Sequence, residues 1–404
     1  MSSPAAKPPF VAIACGGTGG HLFPGLAVAE QLRKRGCTVA LLISPKDVDQ
    51  QAVKSAHGME FFTLPAVALQ NRNYFSFARS FWQSWRASSK FFKQRKPDAV
   101  LAMGGFTSAP PILVAKDYGA KTFLHESNTI PGKANRFLSR FVDEAFMGFS
   151  EAGARLKSRK ITTTGTPVRP QFSVGQNLVG RDSVEPKLKE SRIALGLDPN
   201  RPTVLVMGGS QGASGLNDVV LSALPALGDR ASAWQWLHLT GTSDFEKVKS
   251  AYTARGLHAV VKPFLAEMNL ALGAATVSVS RSGASSLAEI AAMRLPSLLV
   301  PYPTAADNHQ FINARAFEKT GAAKLLEQKN STPEKVAALL CELVENNSIR
   351  ATMQSALAQW HAPKAAEQIA EVILTAIAQQ QAANAARQPL CNCGHAHGSA
   401  KHAH

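Results

Sequence analysis

Near the N-terminus four glycines run into a histidine, Gly16-Gly17-Thr18-Gly19-Gly20-His21, straight after the apolar stretch Phe10–Cys15. Near the middle, Gly208-Gly209-Ser210-Gln211-Gly212 follows the apolar Thr203–Met207. A strand that stops at glycines and restarts as a helix leaves backbone N–H groups free at the helix's positive end, which suits a phosphate. Two such places point to two Rossmann-like domains facing each other, with a phosphate-bearing ligand between them. His21 falls at a helix start, where a neutral imidazole able to accept a proton is favoured. The plainer reading is a helix-capping glycine turn with an incidental histidine.

The first glycine cluster is not a standard nucleotide fingerprint. Leu22 stands where a GxGxxG register needs its last glycine, and no Lys-Ser/Thr follows as in a Walker loop. Gly208-Gly209-Ser210-Gln211-Gly212 does fit the GxSxG elbow of a serine hydrolase. Its partners would have to come from Asp307 and His309, which stand too close in sequence for groups usually supplied by separate loops. The competing reading makes Ser210 a phosphate ligand. Ser280–Glu289 offers hydroxyls and small residues at a helix start, then Glu289, which can accept both hydroxyls of a ribose or simply face solvent. His125-Glu126-Ser127-Asn128 ends another strand and makes Glu126 a candidate base or substrate ligand. Asp307, His309 and Gln310 cluster after Val300-Pro301. Nothing resembles a metal-binding pair of aspartates, so no metal or other cofactor is expected in the chemistry.

The elements that must position these groups alternate. Strands are expected at Val11–Cys15, Thr38–Ile43, Asp98–Met103 and Lys121–His125, with a helix over Gly25–Arg35. A second alternation begins at Thr203 and runs through Trp236–Leu239, Ala259–Val261, Val277–Val279 and Ser297–Val300; Ser331–Ala383 is Ala-rich and helical. That order means parallel sheets with helices on both faces, whose ligands sit beyond the carboxyl ends of the strands. The glycine and polar clusters all fall there. The stretch from Arg169 to about Asn200 is polar, carries three prolines and lacks clear periodicity, so it reads as a linker with a surface insertion. The expected division is 9–170, linker 171–200, 201–380, and a Cys/His-rich tail 381–404. That tail could take a soft metal, but its spacing matches no closed zinc site, and disorder is the simpler expectation.

The chain has 404 residues, of which 45% are hydrophobic and 18% charged, enough for two real cores. Its 44 Lys+Arg against 28 Asp+Glu give a formal charge of +16. Such a surplus fits nucleic acid, an anionic membrane face or a phosphorylated substrate. No module interleaving basic residues with aromatic stacking platforms is found, so nucleic acid is not expected as a partner. Five cysteines without a framework point to a reducing compartment. With no signal-like start and no apolar run near the roughly 20 residues that span a bilayer, a soluble or peripheral cytoplasmic protein is expected. From Phe61 to Pro97 there is no acidic residue. Within that span Tyr74, Phe77, Phe81, Trp85 and Phe92 share a helical stripe, part of which packs on the sheet. Phe75 and Trp82 lie beside it toward Arg79, Arg86 and Lys93. Phe75, Trp82 and Trp85 with Arg79 and Arg86 form a candidate patch for an anionic lipid surface.

Taken together, Gly16–Ala27, Met103-Gly104-Gly105-Phe106-Thr107-Ser108, His125–Asn128, Gly165–Arg169, Gly208–Gly212, Arg281–Ala284 with Glu289, and Asp307–Gln310 closely resemble one family. It is the bacterial MurG family of N-acetylglucosaminyltransferases, which converts lipid I to lipid II in peptidoglycan synthesis. The likeness runs in order from about residue 10 to 328. The long stretch around Gln176–Ser191, the tail, and Thr166 in place of the usual Asn depart from the pattern. The resemblance implies a GT-B fold, two Rossmann-like doubly wound domains with a deep interdomain cleft. It implies UDP-GlcNAc on the C-terminal domain and undecaprenyl-linked lipid I on the N-terminal domain, at the cytoplasmic face of the inner membrane. Other cell-wall synthesis proteins are candidate partners. Carried over residue by residue, Ser210 and the helix after it take the UDP phosphates, Glu289 the ribose, and the backbone near Phe264 and Leu265 the uracil. Gln310 takes the sugar, and Ala284, Ser285, Ser286, Leu287 and Ala288 line the donor. Thr18, Gly19, Gly20, Asn128 and Arg169 reach the donor from the other side. Gly16, Gly17, Gly104 and Gly105 cradle the acceptor diphosphate. His21 is the first candidate base and Glu126 the second, with Arg169 helping the leaving diphosphate. A transferase acting on another glycolipid, a serine hydrolase and a basic nucleic-acid-binding protein are the alternatives.

Overall fold

The computed structural model describes residues 7–16, 19–45, 58–65, 74–172, 181–209 and 212–387. Gly17, Thr18, Ser210 and residues 388–404 of the Cys/His-rich tail lie outside them, whereas residues 381–387, expected to be part of a disordered tail, are helical.

Among the described residues the chain builds two parallel sheets. The first contains β1 (Phe10–Ala14), β2 (Thr38–Ile43), β3 (Glu60–Thr63), β4 (Ala99–Ala102), β5 (Lys121–Glu126), β6 (Glu144–Met147) and β7 (Ile161–Thr163), in the order β3-β2-β1-β4-β5-β6-β7. The second contains β8 (Thr203–Met207), β9 (Gln235–Leu239), β10 (Ala259–Lys262), β11 (Val277–Ser280), β12 (Ser297–Leu299) and β13 (Lys324–Leu325), in the order β10-β9-β8-β11-β12-β13. Every residue of β1 and of β8 is buried, as strands covered by helices on both faces require. In each sheet the strand order reverses once, between β1 and β4 and between β8 and β11. The register there sets Ala14 beside Ala102 and Met207 beside Ser280. A ligand crevice opens outside the strand ends at such a reversal. The glycine turns after β1, β4, β8 and β11 all lie at these two points.

Three parts of the fold differ from the expectation. The first helix runs Gly19–Lys34, six residues earlier than Gly25, and carries Pro24 inside it. Proline there forgoes one bond, to the carbonyl of Gly20, and a helix this well buried absorbs the loss. The stretch read as a linker contains a helix, Arg181–Ala194. Its Arg192 is buried and donates to the carbonyls of Ala274 and Pro199 and to Thr276 Oγ1, which ties the helix to the second domain. The last helix, Ala365–Arg387, crosses back to the first domain. Ile369, Ala370, Ile373 and Ile377 share a core with Leu22, Leu26 and Val28 of the first helix, and Arg35 pairs with Glu367 at 2.8 Å. The domain division at residue 380 therefore does not follow the packing.

Candidate active site

The two switch points open on one cavity of about 630 Å³. Gly19, Gly20, His21 and Gly105 line it from the first domain, and Gly208, Gly209 and Gly283 from the second. The glycine turns thus face a shared space.

On the first domain, His21 lies against the turn after β4. A Cβ at Gly104 would stand 2.7 Å from its Nε2, and one at Gly105 would stand 3.5 Å from its Cε1. Both glycines have positive φ, 127° and 74°. Gly104 is buried beneath the ring, so its role is to seat His21 rather than to touch a diphosphate. Gly16 does not reach the cavity either. It is buried, and a Cβ on it would meet Ser44 N at 2.4 Å, so glycine is needed there for β1 to pass β2.

Glu126 is buried, with both oxygens committed. Oε1 accepts from Asn128 N (2.9 Å) and Asn128 Nδ2 (3.1 Å); Oε2 accepts from Gly132 N (2.9 Å) and Asn135 Nδ2 (2.9 Å). A carboxylate holding four donors organises its loop and has little capacity left to take a proton from a hydroxyl. The geometry corrects its reading as a base. His125 braces the same loop from behind. It is fully buried, and its ring contacts Gly165 O at 3.0 Å and Ser127 Oγ at 3.2 Å. Burial pushes its pKa down to about 4, so the ring is neutral.

On the second domain, the helix Ala284–Ala292 starts at Gly283 without a side-chain cap. Its first N–H groups are left to a ligand, and Ala284, Ser285 and Ser286 line the cavity there. Leu287 and Ala288 do not; Leu287 is buried in the core, on the face of the helix that packs. Leu265, Glu289 and Gln310 do line it. Gln310 Oε1 accepts from Tyr302 N at 3.0 Å and Ser282 N at 3.3 Å, which leaves its amide nitrogen as the group to offer a ligand.

Arg169 sits elsewhere than expected. It does not line the cavity. Its guanidinium is stacked 4.2 Å from the Phe23 ring and 5.1 Å from Phe172, and pairs with Glu289 at 3.7 Å. It supports the Glu289 carboxylate from behind, so its charge does not face the cavity. Burial pushes Glu289 up to about 7 despite this partner.

Arg281 carried no assigned role in the sequence. It lines the cavity, buried, with Nη1 donating to the carbonyls of Val300 and Pro301 and Nη2 to Gln328 Oε1. All three partners are neutral, so none of them cancels its charge. Asn313 was also missed: its partners stand 184, 185 and 31 positions away, and no local pattern announces them.

Ser210, the nucleophile of the hydrolase reading, lies outside the described residues, and the acid and histidine named with it are engaged locally. Asp307 is held by Arg136 at 2.5 Å, and His309 Nδ1 contacts Ala306 O at 2.7 Å.

The helix Tyr74–Gln94 carries the aromatic and basic residues noted in the sequence. Phe92 is buried in the core, while Phe81 and Trp85 pack partly buried against it. Phe75 and Trp82 are 82% and 56% exposed, and the Arg86 guanidinium lies 4.7 Å from the Trp82 ring. Phe77 meets Phe106 edge-on at 5.4 Å, and Phe106 lines the cavity. The exposed patch therefore lies on the helix that meets the first-domain wall of the cavity. Among the described residues no helix is long and apolar enough to cross a membrane.

Two Rossmann-like sheets sharing a glycine-lined cleft define the GT-B class of glycosyltransferase folds. Residues 11–147 match the glycosyltransferase family 28 N-terminal domain and residues 203–369 its C-terminal domain. A UDP-N-acetylglucosamine–N-acetylmuramyl-(pentapeptide) pyrophosphoryl-undecaprenol N-acetylglucosamine transferase from Anaeromyxobacter sp. (strain Fw109-5) is 36% identical over 89% of this chain and 91% of its own. The protein of that name from Myxococcus xanthus (strain DK1622) is 32% identical over 91% and 93%. The crystal structure of Acinetobacter baumannii MurG superposes with a TM-score of 0.68 at 26% identity, over 91% of this chain and all of that one. The chain belongs to glycosyltransferase family 28 and, within it, to the N-acetylglucosamine transferases just named; it is a glycosyltransferase.

Proposed function

We propose that this enzyme moves GlcNAc from UDP-GlcNAc to the 4-hydroxyl of N-acetylmuramic acid in undecaprenyl-diphospho-MurNAc-pentapeptide, giving lipid II. The observation that carries the reading is the single cavity onto which the glycine turns of both domains open. The acceptor hydroxyl attacks the anomeric carbon, and UDP leaves from the opposite face, so an α-linked donor gives a β1→4 product in one inverting step. His21, at the N-terminal turn of the first helix, takes the hydroxyl proton. The uncapped N–H groups of 284–286 stabilise the charge that grows on the leaving diphosphate, aided by the buried cation of Arg281. Glu289 receives the ribose hydroxyls, the backbone at Phe264 and Leu265 the uracil, and Gln310 the sugar. Gly19, Gly20 and Asn128 approach the donor from the first domain, with Gly105 beside the acceptor diphosphate. Phe75, Trp82, Arg79 and Arg86 rest on the anionic cytoplasmic membrane surface that presents the lipid.

The test is incubation with UDP-GlcNAc and a lipid I analogue, with and without a chelator. A disaccharide product is expected in both. For His21→Ala, turnover is expected to fall far more than UDP-GlcNAc affinity; unchanged turnover would reject it as the base.

A further inference from the structure

We infer that Asn313 is a positioning residue that holds the two halves of the active site in register for transfer. Its side chain is fully buried and makes four hydrogen bonds, the full complement of a carboxamide. Oδ1 accepts from Thr129 N (3.0 Å) and Thr129 Oγ1 (2.8 Å) of the first domain. Nδ2 donates to Asn128 Oδ1 (3.1 Å) of the first domain and to Ser282 O (3.2 Å) of the second. Each anchor leads directly to a site residue. Asn128 is held by Glu126, and Ser282 donates through N and Oγ to Oε1 and O of Gln310, one helical turn before Asn313.

The helix His309–Lys319 carries two further ties across the cleft. Arg136 pairs with Asp307 just before it, and its Phe317 stacks with Trp360 at 4.4 Å, which also meets Phe149 at 5.3 Å. The ion pair has partners 37% and 42% exposed, so water and salt weaken it. The aromatic cluster is non-directional and tolerates sliding. The dry, four-way carboxamide is the tie that fixes both distance and angle. Without it the domains keep their contacts but lose their register. His21 belongs to one domain and the donor to the other, and a misplacement of about 1 Å can cost roughly 100-fold in rate.

This inference rests on transfer across the cleft. Asn313→Asp keeps the size and both bonds from Thr129 but cannot donate to Asn128 or Ser282. We expect kcat to fall by roughly 10- to 100-fold. UDP affinity should stay within about threefold, since the groups assigned to the uracil, the ribose and the diphosphate belong to the second domain. Ligand-free small-angle scattering should show a broader distribution of interdomain distances than in the parent. Thr129→Val should give the same split at smaller size, and the double variant should be non-additive. Unchanged kcat in Asn313→Asp, or UDP affinity falling in step with kcat, overturns the inference. Should Asn313→Asp fail to fold, the same two outcomes in Thr129→Val decide it. A parent enzyme that fails to glycosylate the lipid I analogue would sink the functional reading, while the scattering comparison would still decide the register.

Discussion

The imidazole of His21 rests on Gly104, where an added Cβ would stand 2.7 Å from Nε2 and 2.8 Å from Cδ2. The candidate base is thus placed by a residue with no side chain, one domain turn away. Gly104→Ala is blocked twice, by that collision and by a φ of 127°. It should displace the ring and lower turnover by roughly 100-fold. UDP-GlcNAc affinity should hold within about threefold, because the groups assigned to the uracil, the ribose and the diphosphate lie on the other domain. His21→Ala in the Gly104→Ala background should add little. Normal turnover in Gly104→Ala would show that His21 does not act from this seat.

Glu289 connects the nucleotide site to pH. Burial raises its pKa to about 7, and its carboxylate must be ionised to accept two ribose hydroxyls. At pH 6 only a minority of sites are competent, and at pH 8 most are. Calorimetric affinity for UDP-GlcNAc, whose diphosphate does not titrate in this range, should rise about tenfold from pH 6 to pH 8. Glu289→Gln should bind more weakly with no such rise. In the ligand-free protein the sign reverses. A carboxyl with a raised pKa loses stability as pH rises from its ordinary value through 7, so Glu289→Gln should melt higher than the parent at pH 8.

The sequence carried the long-range plan of both sheets because central strands such as β1, β4 and β8 are continuous apolar runs that stop at glycines. β1, β2, β4, β5, β8, β9, β11 and β12 all stand within about a residue or two of their expected places. Of the edge strands only β10 was legible, expected at Ala259–Val261 and found at Ala259–Lys262; β3, β7 and β13 were not. β7 is Ile161–Thr163 and β13 only Lys324–Leu325, too short for any period to show. β6 carries a buried Glu144, paired with Lys160 at 2.8 Å, which disguises a strand as polar. The helix Arg181–Ala194 hid because its stabilising contact, Arg192 to Ala274 and Thr276, is a polar one made about 80 residues away. The site divides in the same way. His21, Glu289 and Gln310 announce themselves through their local motifs. What Glu126, Arg169 and Asn313 do depends on partners that only the folded chain brings together.

Phe75 and Trp82 are exposed beside cations and within reach of the cleft through Phe77 and Phe106. Two such rings at a lipid boundary gain apolar burial, and each nearby Lys or Arg adds about 1 kcal/mol on an anionic surface. Phe75→Glu with Trp82→Glu should reduce co-sedimentation with vesicles containing anionic lipid, and added salt should weaken the parent's binding as well. Turnover on a water-soluble acceptor analogue should be unchanged, since neither side chain lines the cavity. Retained vesicle binding would place the membrane contact on another face.

His125 and His238 make the fold sensitive to acid. Burial lowers their pKa values to about 4 and about 3, and each ring is held by hydrogen bonds, His125 to Gly165 and Ser127, His238 to Asn217 and Tyr252. Below pH 6.5 the unfolded chain takes a proton at each ring while the folded chain does not. Stability is therefore complete above pH 6.5 and is lost as pH falls toward the folded values, by about 1.4 kcal/mol per pH unit for each histidine. Glu289 opposes one of them between its ordinary value and 7, so the net slope alone is not diagnostic. The difference between parent and His125→Gln isolates one ring, because every other titration cancels. Urea midpoints converted to free energy at pH 7 and pH 5 should show the variant losing about 2 kcal/mol less than the parent across that interval. Equal losses in the two proteins would mean that His125 is protonated in the folded state, and the brace it forms between the Glu126 loop and Gly165 would have to be drawn with a charged ring.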